Sequence, residues 1–159
     1  QPASFLNSLY GSDEAYENVF ANLPKTSAGP DVLAGIVSHH FLAKQFIADF
    51  YNEIGNEKVF TVFLISPDHY NVFFPAGTIA YASKMPWKTP FGDIFSDKEA
   101  INSLIARENV MINDSAMGLE HGISVEIPFV KNFFPNAKIV PMLLKIIIHT
   151  KNYLIWAKN

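Results

Sequence analysis

No cysteine occurs in the 159 residues, which removes disulfides, thiolate nucleophiles, iron–sulfur clusters and every cysteine-containing zinc site. Any chemistry must come from histidine, carboxylates and hydroxyls. Charge is also sparse: Asp, Glu, Lys and Arg make up 17% of the chain, against 49% hydrophobic residues. That balance excludes a disordered chain, whose low hydrophobicity and high charge would prevent collapse. Twelve Lys and Arg face fifteen Asp and Glu, for a formal net charge of -3, so no basic excess exists to release counterions from a nucleic-acid backbone. Nucleic acid is not an expected partner. Long apolar runs are missing as well. Val59 to Ile65 and Ile139 to Leu144 fall far short of the roughly 20 residues a bilayer span needs, and a soluble, cytoplasmic protein is expected. The first residue is Gln1, with neither a basic start nor an apolar stretch behind it, so the expectation is a processed or trimmed start without an intact signal peptide.

What is present reads as one domain's worth of α/β chain, or part of one. Residues 1–30 form an N-terminal arm: Tyr16, Val19, Phe20 and Leu23 recur at helical spacing behind Ser12 and Asp13, and a Pro/Gly/Ser-containing linker runs from Leu23 to Asp31. The body, 31–145, alternates apolar runs with amphipathic segments. Val32 to Val37 predicts a strand buried on both faces. Leu42, Phe46, Ile47, Phe50, Tyr51 and Ile54 predict a helix closed by Gly55, and Val59 to Ile65 predicts a second buried strand. Together these make a βαβ unit with parallel strands and a right-handed crossover. Further strands are expected over Gly77 to Ala82, Val110 to Ile112 and Ala137 to Leu144. Met85 to Asp93, with its Pro and Gly residues, predicts a loop that displays Trp87 and Phe91. Ser96 and Glu99 predict a capping box for a helix carrying Ile101, Leu104 and Ile105. Pro128 inside the stripe from Glu120 to Phe134 implies a kink or a late helix start.

The five histidines are the chemically informative residues. His39 and His40 follow the first predicted strand, His69 follows the second, and His121 opens a helix. In an open parallel sheet, ligands bind beyond the carboxyl ends of the strands, so three loops deliver imidazoles to one edge. Their separations, 30 and 52 residues, match no compact zinc-finger or HExxH spacing, and the fold must assemble any site. Taken singly, each histidine equally suits a capping or partly exposed role. Asp68 suits either a ligand or orienting role or a plain Pro-Asp turn. Glu120 is placed to orient His121 or polarise a water, Glu126 reads as a solvated helical charge, and His149 reads as structural or exposed. No GxSxG elbow or glycine-rich phosphate loop occurs, which leaves a serine hydrolase using Ser38 or Ser66 as a weak alternative. Phe41, Tyr70, Phe73, Phe74 and Trp87 are available to wall a pocket.

Four segments together resemble the Memo-like family, also called AmmeMemoRadiSam system protein B. They are Gly35-Ile36-Val37-Ser38-His39-His40, Leu64-Ile65-Ser66-Pro67-Asp68-His69-Tyr70, Trp87-Lys88-Thr89-Pro90-Phe91-Gly92-Asp93 and Glu120-His121-Gly122-Ile123-Ser124-Val125-Glu126-Ile127-Pro128-Phe129. The resemblance runs from about Val32 to Leu144 and covers about the N-terminal half of the family. It implies an α/β fold, mainly a parallel sheet flanked by helices, similar to class III extradiol (LigB-like) dioxygenases and here incomplete. It also implies a mononuclear metal site at the sheet edge. His39 looks like the histidine of the family's Pro-His-Ala-Gly motif and His69 like the first histidine of Pro-Ser-His-His, both metal ligands there. The Glu-His-Ser-Ile-Glu motif falls on Glu120 to Val125, which puts His121 in the site as third ligand or proton carrier beside Glu120, with His40 and Asp68 in support. Fe(II) is the expected metal, with copper or zinc as competitors. The implied function is an O2-using oxidoreductase; the alternative is a non-catalytic accessory module that holds a small molecule, peptide or metal and works with radical-SAM and AMMECR1-domain proteins. Ser38 stands where the family usually has Pro, and Gly122 where it usually has Ser. The family's second half, with a cysteine ligand in some members, has no counterpart, and residues 146–159 read as an apolar tail of a truncated or frame-altered member, an exposed β-prone end.

Overall fold

The structure is a computed structural model that describes residues 4–21, 23–24, 32–54, 59–107 and 109–146. Most of the linker, Gly55, the far end of the tail and His149 lie outside the described residues. Among the described residues no helix is long and apolar enough to cross a membrane.

The N-terminal arm contributes a two-residue strand, β1 (Leu6–Asn7), and helix α1 (Glu14–Ala21), which buries Tyr16 and Val19 as its spacing predicts. A single 3-10 turn, Phe41–Ala43, leads into α2 (Lys44–Ile54), which buries Ile47, Ala48 and Tyr51. The strand β2 (Thr61–Pro67) follows, then β3 (Ala80–Ala82), β4 (Trp87–Lys88), α3 (Lys98–Arg107) and β5 (Val110–Ile112). Three short helices, α4 (Asp114–Leu119), α5 (His121–Ser124) and α6 (Ile127–Phe133), precede the last strand, β6 (Lys138–Leu144). Pro128 sits in the first turn of α6, where its missing N–H is harmless. The stripe from Glu120 to Phe134 is therefore two helices with a late second start.

The main sheet has the order β2-β6-β3-β5. β2 runs parallel to β6, from Thr61 opposite Lys138 to Pro67 opposite Leu144. β3 is parallel to β5 and antiparallel to β6, so two of the three ladders are parallel. Helices cover both faces. On one side Leu64, Ile139 and Leu143 join α1, α2, α5 and α6 in the larger core, with Trp87 and Phe129 fully buried within it. On the other, Ala80, Ala82, Val110 and Val140 pack under Ile101 of α3. The alternation along β6 follows from the two-residue side-chain period of a strand.

Several expectations need correction. Val32 to Val37 forms no strand, and the expected βαβ crossover is absent: β2 pairs with β6 instead. Leu33 and Ile36 are 100% and 99% exposed, because an apolar run becomes a buried strand only where neighbours cover both faces. Gly35 does lie tight against α2, where a Cβ would come 2.5 Å from Phe50 Cζ. β2 is buried on one face only, and Leu42 and Phe46 point away from the core. Trp87 is not displayed. Its backbone exchanges hydrogen bonds with Ile94 at 2.9 and 3.0 Å, and the β1 segment closes over it, with Leu6 N–H donating to the Pro86 carbonyl. The cap of α3 is Asp97, whose Oδ1 accepts from Ala100 N–H at 3.1 Å; the Ser96 hydroxyl is turned away to the Met85 carbonyl at 2.8 Å.

Candidate metal centre

The end of β2 is bent into a turn by Asp68. Its N–H donates to the Leu144 carbonyl at 2.9 Å, and its carboxylate accepts from Tyr70 N–H at 2.9 Å and Val72 N–H at 2.7 Å. A buried carboxylate holding two backbone donors acts as a turn builder. The two bonds fold the chain back just where His69 leaves the strand, and Asn71 completes the reversal with φ 51.

Glu120 joins the second piece. It ends α4 and caps α5, its Oε1 accepting from Gly122 N–H at 2.8 Å. The same carboxylate accepts from His69 N–H at 3.1 Å and from His69 Nδ1 at 2.6 Å. Burial alone would push the Glu120 carboxyl up, but the bonds from Gly122, from the His69 backbone and from the His69 ring hold it below its usual range. An ionised carboxylate can only accept, so His69 Nδ1 carries a proton and Nε2 is the ring nitrogen left for a metal. Glu120 is fully buried, behind His69.

The third piece is the extended segment ending at His39 and His40, stopped by the 3-10 turn in which Ala43 N–H donates to the His40 carbonyl at 2.8 Å. It brings His39 to ring-centroid distances of 4.6 Å from His69 and 5.2 Å from His121; His69 and His121 are 4.4 Å apart. One ring nitrogen from each of His39, His69 and His121 lies within 4.8 Å of the others. His40 lies outside this trio, its ring tilted against its neighbours at 4.6 Å from His39 and 6.2 Å from His121. Burial, then the neighbouring His69, His40 and His121, lower the His39 pKa and keep that ring neutral, the state a metal ligand needs. Metal–nitrogen bonds of about 2.1 Å require nitrogens roughly 3 to 3.5 Å apart, so modest ring rotations close the trio around a metal. The residues fit one.

Three features had no reading of this kind in the sequence. The Tyr70 hydroxyl lies 3.2 Å from His121 Nδ1; its position directly after His69 offered only a pocket wall. A Cβ at Gly122 would overlap Ser66 Oγ, so the strand hydroxyl fills the place of a side chain at 122. Glu126 is 4% exposed rather than solvated, and burial raises its carboxyl to about 8. Among the expected pocket walls, Trp87 and Phe74 are core and Tyr70 borders His121. Neither Ser38 nor Ser66 hydrogen-bonds a histidine ring among the described residues: Ser38 Oγ accepts from His40 N–H, and Ser66 Oγ donates to the Pro67 carbonyl.

This arrangement coincides with the region shared with known proteins. The chain is 34% identical over 119 residues to a MEMO1 family protein of Caldivirga maquilingensis, covering 71% of this chain and 40% of that one. A MEMO1 family protein of Ignicoccus hospitalis is 36% identical over 91 residues, or 54% of this chain and 30% of the relative. One from Methanopyrus kandleri is 30% identical over 132 residues, or 77% and 44%. The chain thus spans less than half the length of these curated relatives. A family description, Memo-like protein, matches residues 13–154, a stretch that takes in β2, α5 and all three clustered histidines, and on this match the chain belongs to the Memo-like family.

Proposed function

We propose that the chain is a Memo-like metal-binding protein in which His39, His69 and His121 hold one metal ion. The observation that carries the reading is the convergence of three imidazole nitrogens within 4.8 Å from three separate segments. Glu120 supports it by accepting from His69 Nδ1, which leaves Nε2 as the nitrogen for a metal. Fe(II) is the metal we assign, with copper and zinc as competitors, since imidazole suits all three. When bound, such an ion would supply open coordination positions for O2 and substrate, the basis of a dioxygenase-like oxidoreductase activity. Within that activity His121, with Tyr70 on its Nδ1, is placed to carry a proton if it is not engaged as the third ligand. Asp68 and Glu120 position His69, and His40 borders the trio.

The second reading is an accessory module that binds without turnover. In that reading the pocket holds a peptide, small molecule or metal, and radical-SAM and AMMECR1-domain proteins are its working partners. The test is anaerobic reconstitution with Fe(II), Cu(I) or Zn(II) and measurement of bound metal. About one ion per chain is expected, falling at least tenfold in His39→Ala/His69→Ala. Unchanged stoichiometry in that variant would remove the ligand assignment. Oxygen consumption by the metallated protein with a catechol panel then separates the two readings, uptake favouring the oxidoreductase and none favouring the module.

A further inference from the structure

His69 and His121 are held by different chemistry. Glu120 Oε1 already accepts from His69 Nδ1 at 2.6 Å and from Gly122 N–H at 2.8 Å, and it stands 3.6 Å from His121 Nδ1, beyond good hydrogen-bond reach. The group at hydrogen-bond distance from His121 Nδ1 is the Tyr70 hydroxyl, at 3.2 Å. Its place there is set by the turn at the end of β2. In an extended strand, consecutive side chains point to opposite faces. Asp68 breaks that alternation by accepting from the N–H groups of Tyr70 and Val72, and Asn71 reverses the chain with φ 51. His69 and Tyr70, neighbours in sequence, therefore both reach His121, the His69 ring at 4.4 Å and the Tyr70 ring edge-on at 5.7 Å between centroids. Tyr70 is 53% exposed, so core packing does not account for its position.

A carboxylate fixes the tautomer of its histidine because it can only accept, whereas a tyrosine hydroxyl either donates or accepts. If Tyr70 accepts, His121 Nδ1 carries the proton and Nε2 is left for a metal. If Tyr70 donates, the neutral ring carries its proton on Nε2, which then cannot ligate. A histidine that ligates through one nitrogen characteristically donates its other N–H to a fixed acceptor, and Tyr70 supplies that acceptor beside a ring nitrogen cluster already within 4.8 Å. We propose that Tyr70 is a positioning residue for the metal centre: its hydroxyl accepts from His121 Nδ1–H and commits His121 to be the third ligand through Nε2, as Glu120 does for His69. The inference rests on the metal reading above and deepens it by deciding between the ligand and proton-carrier roles of His121.

The test uses Zn(II) alone with the full 159-residue chain. Long-range 1H–15N spectra of the histidine rings report which nitrogen of His121 bears hydrogen. In wild type, Zn(II) should shift the His121 Nε2 signal and leave hydrogen on Nδ1. Tyr70→Phe keeps the ring and removes the hydroxyl; it should keep a native circular dichroism spectrum and shift the His121 Nδ1 signal, which loses its acceptor. Its Zn(II) affinity, measured in competition with a chromophoric chelator, should fall about tenfold. In a His121→Ala background Tyr70→Phe should have no further effect, since the hydroxyl acts through that ring. Affinity within about threefold of wild type in Tyr70→Phe overturns the proposal. So does an equal loss in both backgrounds, or a zinc-loaded wild type whose His121 Nδ1 lacks hydrogen. The wild-type spectra decide the matter should Tyr70→Phe not fold. Failure of the metal reading itself looks different: His39→Ala/His69→Ala would then bind Zn(II) as tightly as wild type, which removes both.

Discussion

Glu126 gives the protein a pH-dependent stability whose sign and size can be worked from its surroundings. It sits 4% exposed among core residues, its two carboxylate oxygens have no partner of strict hydrogen-bond geometry, and the Tyr51 hydroxyl lies close enough to hold the carboxyl down in part, an effect that burial outweighs. Burial raises the carboxyl from 4.5 to about 8. A carboxyl whose pKa is higher in the folded chain keeps its proton where the unfolded chain releases it, so stability is greatest below about pH 4.5 and declines up to about pH 8. The slope reaches about 1.4 kcal/mol per pH unit, and the whole window is worth roughly 5 kcal/mol. Against a typical total of about 5 to 15 kcal/mol, that is a large share. At about 2 to 4 °C per kcal/mol for a chain of this size, the melting temperature should fall by roughly 8 to 16 °C between pH 5 and 9. The assay is urea unfolding at half-unit pH steps for wild type and Glu126→Gln, which keeps the shape and removes the titration. His39, whose pKa is lowered, acts with the opposite sign, so the difference between the two proteins is the quantity to read. Identical slopes in wild type and Glu126→Gln would refute the reasoning.

Asp68→Ala removes the acceptor of two backbone bonds at the turn and should cost about 3 kcal/mol, read from urea midpoints; a cost under about 1 kcal/mol would show that the turn forms without it. Gly122→Ser should destabilise by about 2 kcal/mol through overlap with Ser66 Oγ, and adding Ser66→Gly should recover most of the loss, whereas additive effects in the double-mutant cycle would deny the contact. Asp97→Ala should lose about 1 kcal/mol as the cap of α3 is removed; thermal melts that rank Ser96→Ala as the costlier cap change would reverse that assignment.

Much of the scaffold was legible because it rests on periodicity. Tyr16 and Val19 on α1, Ile47 and Tyr51 on α2, and Ile101 on α3 take the buried positions their spacing implies, since a helix face must find apolar cover. The Val32 to Val37 run was misread for a physical reason: composition reports that a segment can enter a sheet, while the neighbour that would pair with it is a property of the whole fold. Trp87 is buried by a strand from the distant N-terminal arm, a contact that no turn-forming residue near it announces. Glu126 looked solvated because charge is ordinarily exposed; its raised pKa reflects burial it shares with Tyr51 and Tyr16. The histidine trio was legible in outline, from placement after strands and at a helix start. The bond from His69 to Glu120, spanning 51 residues in sequence, was not.

That bond has a kinetic consequence. Glu120 joins the last turn of one loop to the first turn of a helix through three donors, two from His69 and one from Gly122. Breaking any one leaves a buried carboxylate short of a donor, so the His69 loop and α5 can open only as a unit. The His69 and Gly122 amides should therefore exchange with solvent at one shared rate, and small molecules entering the histidine cluster would meet a wall already set in place rather than one that forms around them.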